Sequence, residues 1–163
     1  EFHFGTLLVQ KPGMMRWVYT SPEKKEFVSD GRTLWSYVPA DKQVIVGAVA
    51  AADEASSAAM FLAGKGSILR DFTPRLAAAA GLAASEVALE LRPRTRQNEY
   101  DWIILAVDRE TLRIRKLVTA DSQGGTSTFV FTKLRENVGL SDKAFAFTIP
   151  RGVDIVTDGS RKH

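Results

Sequence analysis

Apolar and polar positions alternate through most of this chain with the period of two that marks half-buried β-strands. The signal is strongest between Gly5 and Pro39, which reads as four short β segments joined by turn chemistry. Met14 to Tyr19 places Met15, Trp17 and Tyr19 on one face and Met14, Arg16 and Val18 on the other. Lys11-Pro12-Gly13 precedes this segment as a turn, because proline presets φ and glycine permits positive φ. Ser21-Pro22 interrupts the alternation, Lys25 to Ser29 resumes it, and Asp30-Gly31 is a hairpin signal. Thr33 to Val38 returns with Trp35 and Tyr37 on one face before Pro39 stops it, and Gln43 to Val49 reads as a further strand.

The pattern then changes. Asp53 or Ser56 is placed to cap a helix containing Ala58, Met60, Phe61 and Leu62 and ending near Gly64-Lys65-Gly66. Ser67 to Phe72 reads as a second short helix with Ser67 as cap, and Pro74 either ends it or opens the next at its first turn. The alanine-rich stretch Leu76 to Ala84, broken by Gly81, fits helix or loop. Alternation resumes with Val87, Leu89 and Leu91 set against Ala88, Glu90 and Arg92. After a polar turn at Pro93 to Glu99, Tyr100 to Val107 is almost continuously apolar and predicts a central strand covered on both faces. Leu112 to Ala120 and Thr126 to Leu134 follow across turns at Asp108–Thr111 and Asp121–Gly125. Ser141 is placed to cap a helical turn, and Phe147–Ile149 with Val153–Val156 closes the sheet around Pro150-Arg151-Gly152. No repeat, linker or domain boundary stands out. The expectation is mainly β with short helices (α+β): one long antiparallel meander that curls into an incomplete, half-open β-barrel over an apolar cavity.

Composition narrows the functions available. A chain of 163 residues, 45% hydrophobic and 25% charged, suits one globular domain. A net charge of +3 does not predict nucleic-acid binding, and the arginines are not interleaved with aromatic stacking platforms. With no cysteine there is no disulfide or thiolate chemistry. No apolar run approaches the roughly 20 residues needed to span a bilayer. The two histidines, His3 and His163, stand at opposite ends without triad or metal partners, and no phosphate-binding glycine loop occurs. Asp53-Glu54 fits helix N-terminal charge rather than a catalytic carboxylate pair. No enzyme activity, metal or cofactor is therefore expected. Arg92, Arg94, Arg96, Arg113, Arg115 and Lys116 form a basic set on neighbouring strands. They are read as a solvated face or as a docking surface for an acidic partner or phospholipid headgroups.

Two of the three tryptophans and two of the three tyrosines lie between Gly5 and Pro39, which suggests a greasy, concave wall. The order K-P-G-M-M-R-W-x-Y, then V-S-D-G-x-T-L-W-x-Y-x-P, then Q-V resembles the outer-membrane lipoprotein carrier (LolA) family. A weaker likeness continues in F-A-F-T-I-P-R-G-V-D-I-V, Phe145 to Val156. The resemblance implies a monomeric periplasmic chaperone built as a single carrier-like domain over residues 1–163. It implies acylated lipoproteins as cargo, received from an inner-membrane ABC transporter and passed to an outer-membrane lipoprotein acceptor. It also implies a helical lid. Met14, Met15, Trp17 and Tyr19 would line the acyl-chain cavity, with Met60, Phe61 and Leu62 on the lid. Lys11 and Pro12 occupy the family's lid-latch position. The family usually has arginine there, and lysine keeps the charge but not the planar fork of donors. The family further implies an N-terminal helix and first strand not found here, and a secretion signal already removed. The alternative reading is a lipid- or glycolipid-binding sensor or transfer module of the same fold that engages a membrane protein partner.

Overall fold

The computed structural model describes residues 2–48, 62, 68–78, 81–95, 100–136 and 138–157. Their strands are, in chain order, β1 (Phe4–Gln10), β2 (Met14–Ser21), β3 (Lys25–Asp30), β4 (Thr33–Val38), β5 (Gln43–Ala48), β6 (Phe72–Ala77), β7 (Glu86–Pro93), β8 (Trp102–Asp108), β9 (Ile114–Ala120), β10 (Thr126–Val130) and β11 (Asp154–Thr157). A short helix, α1 (Ile68–Asp71), leads directly into β6, and 3-10 turns occur at Pro39–Asp41 and Asp142–Phe145. Among the described residues no helix is long and apolar enough to cross a membrane.

The strands form two sheets, not one meander. The first has the order β1-β2-β3-β4-β5-β11 and the second β10-β9-β8-β7-β6; neither closes on itself. The chain groups accordingly into two compact units, Glu1–Lys65 with Asn137–His163, and Gly66–Glu136. Topology explains the departure from the expected single sheet. The outer edge of β5 is taken by β11, which runs parallel to it with Ile155 opposite Val44, so β6 has no place beside β5. A parallel pair needs a long crossover, and here that crossover contains the whole second unit.

In the first sheet β1 to β4 follow the expected alternation closely. Met15, Trp17, Phe27 and Leu34 are buried on one face, and Val28 and Val44 on the other. A fully buried side chain of this size contributes about 1.5–3 kcal/mol, an upper figure for an extended reference chain. The 3-10 turn at Asp142–Phe145 forms without a side-chain cap from Ser141, and packs against β2 and β3 through the buried Phe145. Phe147–Ile149, read as a strand, is irregular; only β11 pairs with the sheet.

In the second unit β8 is the central strand, as its apolar run predicts, and both its faces are largely covered. Leu91, Ile103, Leu105 and Leu117 bury one face, while the small side chains of Ala88, Ala106 and Ala120 lie on the other. Two expectations are corrected here. Phe72–Ala77 is a strand, where the sequence reads the end of a helix at Phe72 and a helix or loop from Leu76. Pro74 is tolerated because β6 is the sheet's edge, where a missing N–H breaks no ladder bond. Thr126–Leu134 is a strand only to Val130, and the segment from Leu112 pairs only from Ile114.

Candidate ligand-binding wall

The turn residues fix where the aromatic strands lie. Gly13 and Gly31 both have positive φ, at 77° and 98°, which glycine adopts without steric cost. Between them sits Ser29, fully buried, whose hydroxyl donates to the Gly13 carbonyl at 2.9 Å and accepts from the Gly31 N–H at 3.0 Å. Asp30 Oδ1 accepts from the N–H groups of Arg32 and Thr33, both at 2.9 Å, which closes the β3–β4 turn. One serine thus ties the β1–β2 turn to the β3–β4 turn and sets the register of the wall.

On one face of this sheet, pairing aligns Val9, Met15, Ser29 and Leu34 in one row and Leu7, Trp17, Phe27 and Ser36 in the next. Tyr19 extends the apolar surface. Its ring stacks on Trp17 with centroids 5.2 Å apart and meets Phe27 edge-on at 5.9 Å, a geometry that suits the quadrupoles of both pairs. The expected residues Met15, Trp17 and Tyr19 therefore come together. Met15 is fully buried and Trp17 keeps 7% of its surface, so neither offers open surface to a ligand in this conformation.

The opposite face carries Met14, Arg16 and Val18, so Met14 lies on the other side of the sheet from the residues it was grouped with. Arg16 pairs with Glu26 at 2.9 Å and donates through Nη2 to the Ala146 carbonyl at 2.6 Å. Phe147 packs beside Trp35 and Tyr37, with centroids 6.4 and 5.8 Å away. The tail is thereby held over this face by one guanidinium and one ring.

Lys11 and Pro12 are exposed on the β1–β2 turn, and Leu62 is half-buried. Met60 and Phe61 lie outside the described residues, as do Asp53, Ser56, the glycines at 64 and 66, and Arg96. Residue-level reading missed Phe27, Leu34, Ser29 and Arg16 as members of the site. Phe27 and Leu34 share a face with Met15 once the D-G hairpin fixes the register, which is the signal that finds them. The Gly13 carbonyl that Ser29 reaches and the Ala146 carbonyl that Arg16 reaches are remote in sequence and give no local sign.

No titratable side chain stands in the Met15 and Trp17 rows, so apart from the buried Ser29 they offer apolar and aromatic contact; the next row pairs Tyr19 with Lys25. Among the described residues no group of three histidines or acids is arranged to hold a metal ion. The charged groups of interest lie in the second unit. Glu90, on the face read as polar, is buried between Arg75, at 2.8 Å, and Arg92. The hydrogen bond from Arg75 is the main cause holding the Glu90 carboxyl below its usual value; burial opposes it and Arg92 assists. Of the expected basic set, Arg92 is engaged with Glu90, Arg113 pairs with Glu136 at 3.4 Å, and Arg94 donates to the Phe72 carbonyl.

Comparison with known proteins supplies the remaining finding. Residues 3–148 match the family model described as outer membrane lipoprotein carrier protein LolA. An outer-membrane lipoprotein carrier protein of Chromobacterium violaceum is 36% identical over 157 residues, covering 94% of this chain and 71% of that protein. One from Nitrosomonas europaea is 30% identical over 156 residues, covering 94% and 72%. Among solved structures, a LolA superfamily protein from Nitrosomonas europaea aligns with a TM-score of 0.44 at 18% identity. That alignment covers 85% of this chain, which spans 65% of the solved one.

Proposed function

The chain belongs to the outer-membrane lipoprotein carrier (LolA) family, and from that premise we propose that it carries lipoproteins by sequestering their acyl chains against the Met15 face of the first sheet. The observation that carries the reading is the apolar and aromatic surface assembled from Met15, Trp17, Tyr19, Phe27 and Leu34. Each methylene moved from water into such a setting gains about 0.8 kcal/mol, so partial burial of a di- or triacyl anchor gives ample affinity. Methionine adapts its shape to chains of different length. Since Met15 and Trp17 are covered, cargo enters by displacing whatever lies over them. We assign that movement to a lid containing Met60, Phe61 and Leu62, with Lys11 as a weaker latch than the family's arginine. The proposed route is periplasmic, from an inner-membrane ABC transporter to an outer-membrane acceptor, and the carrier itself makes and breaks no covalent bond.

The test is binding of the purified chain to a lipoprotein in two forms: acylated, and with its N-terminal cysteine replaced so that no lipid is attached. Native mass spectrometry should find a complex with the acylated form alone. Tyr19→Ser, at a half-buried position, should weaken that complex by about tenfold through lost apolar contact. Met15→Glu is a poor probe, because a charge at a fully buried position tests folding instead. Equal binding of the two lipoprotein forms, or of neither, would overturn the proposal. Recovery of free phospholipid or glycolipid in place of lipoprotein would favour the lipid-transfer reading.

A further inference from the structure

The tip of the β8–β9 hairpin holds a residue that neither local conformation nor packing accounts for. The Asp108 N–H donates to the Arg113 carbonyl at 3.0 Å and closes the loop 109–112. Asp108 also supports that loop from within. Its Oδ1 accepts from the N–H groups of Glu110 and Thr111 at 3.0 and 2.9 Å, and its carbonyl accepts from the Leu112 N–H at 2.9 Å. Leu112 ends the loop with φ at 59°, in the left-handed region. Glycine or asparagine serves there at little cost, whereas a leucine crowds its Cβ against the following carbonyl oxygen. Leu112 is moreover 75% exposed, so burial returns little for that strain. A lone surface leucine is ordinary, but one held out in a strained conformation at a hairpin apex points to a partner outside the fold.

The surroundings of the tip indicate the kind of partner. β9 carries one extra residue against β8, Arg115, between the Ala106–Lys116 and Val107–Ile114 pairs. The Arg115 carbonyl accepts from the Phe131 N–H at 2.9 Å, and Arg113 Nε pairs with Glu136 at 3.4 Å. The segment 131–136 therefore runs beside the hairpin out towards its tip. It adds Lys133 and Arg135, both exposed, to Arg109, Arg113 and Arg115 of the hairpin itself. Against these five cations stand the carboxylates of Asp108, Glu110 and Glu136. The Thr111 N–H is the main cause holding the Asp108 carboxyl below its usual value, so that carboxylate counts in full. The tip still keeps an excess of positive charge. Over a screening length of roughly 8–10 Å that excess is felt whichever way each side chain leaves its strand.

We propose that the β8–β9 hairpin tip docks on an anionic lipid surface, with Leu112 entering the boundary between headgroups and acyl chains and the cations around it meeting acidic headgroups. An aliphatic apex among basic residues is the composition of an interfacial contact, and the charge complements such a surface. A protein partner fits less well. Specific protein interfaces engage roughly 20–30 residues a side, and one hairpin tip with its flanking segment offers far fewer. The contact uses the second unit alone and does not rest on the cargo reading.

The experiment is sedimentation of the full chain with vesicles of phosphatidylcholine alone, or of phosphatidylcholine with about one-third phosphatidylglycerol. Binding is expected to the anionic vesicles only, and to fall as salt rises through the screening range. Leu112→Asn removes the apolar apex and suits the positive φ. It should lower the partition coefficient by about tenfold while the denaturant midpoint of unfolding stays level or rises. Arg109→Gln with Arg135→Gln, both exposed positions, should lower the coefficient by about twentyfold, from the attraction of each cation to the surface. The proposal is overturned by equal binding to both vesicle types, by binding to neither, or by either variant binding as the parent does. A lower unfolding midpoint for Leu112→Asn would also overturn it, since the leucine would then belong to the fold. Saturable binding of a glutamate-rich peptide, without vesicle binding, would assign the tip to an acidic protein instead. No lipoprotein is present in these assays, so their outcome is independent of the cargo proposal.

Discussion

Ser29 and Glu90 show how much weight single polar residues bear in this molecule. Removing the Ser29 hydroxyl takes one hydrogen bond from the Gly31 N–H and one from the Gly13 carbonyl. Ser29→Ala should lower unfolding free energy by about 1–3 kcal/mol, read from the denaturant midpoint at unchanged slope. Glu90 makes a prediction in pH. Its folded carboxyl value lies below its ordinary value of 4.5, chiefly because of Arg75, so its stabilisation is complete above that ordinary value. It is lost as pH falls through the folded value. Glu90→Gln should therefore flatten the acid side of the stability–pH curve below about pH 4.5, leaving the slope above pH 6 unchanged. An identical acid limb in both proteins would show that the ion triad contributes nothing to folding. Neither role is legible locally. Ser29 reads as the end of an extended segment and Glu90 as the polar half of an alternating strand, because Gly13 and Arg75 reach them from another turn and another strand.

Elements were legible wherever alternation and turn residues agree. β2 and β4 follow from their alternation and β8 from its continuous apolar run, and the K-P-G and D-G turns lie where the sequence puts them. β6 was hidden because proline and alanine carry no strand signal; only its place at the edge makes Pro74 acceptable. The same edge position governs β1, which makes the third prediction. A Cβ at Gly5 would run into the Val18 carbonyl of the paired strand, at the point where the β1–β2 register shifts. The obstacle is backbone, so it cannot swing aside. Gly5→Ala should cost about 1–3 kcal/mol in thermal or denaturant unfolding, and should raise amide exchange in β1 before β3 or β4. Uniform exchange across the sheet would locate the strain elsewhere.

At the scale of the whole molecule the family was legible and the sheet count was not. The K-P-G-M-M-R-W and V-S-D-G-x-T-L-W segments carried the resemblance, and the family match over residues 3–148 agrees with it. Periodicity identifies strands but does not say which pair, and the β5–β11 partnership joins residues separated by over a hundred positions. That partnership also sets an order of events as the ribosome works. The first unit is interrupted by the second, and Phe145, Ala146 and Phe147 belong to its late portion. Until those residues emerge, Trp35 and Tyr37 lack their aromatic neighbour and the Arg16 guanidinium lacks its carbonyl. A nascent chain of this kind displays a sticky aromatic flank for most of its synthesis, which makes it a natural client for a holding chaperone before it can become one itself.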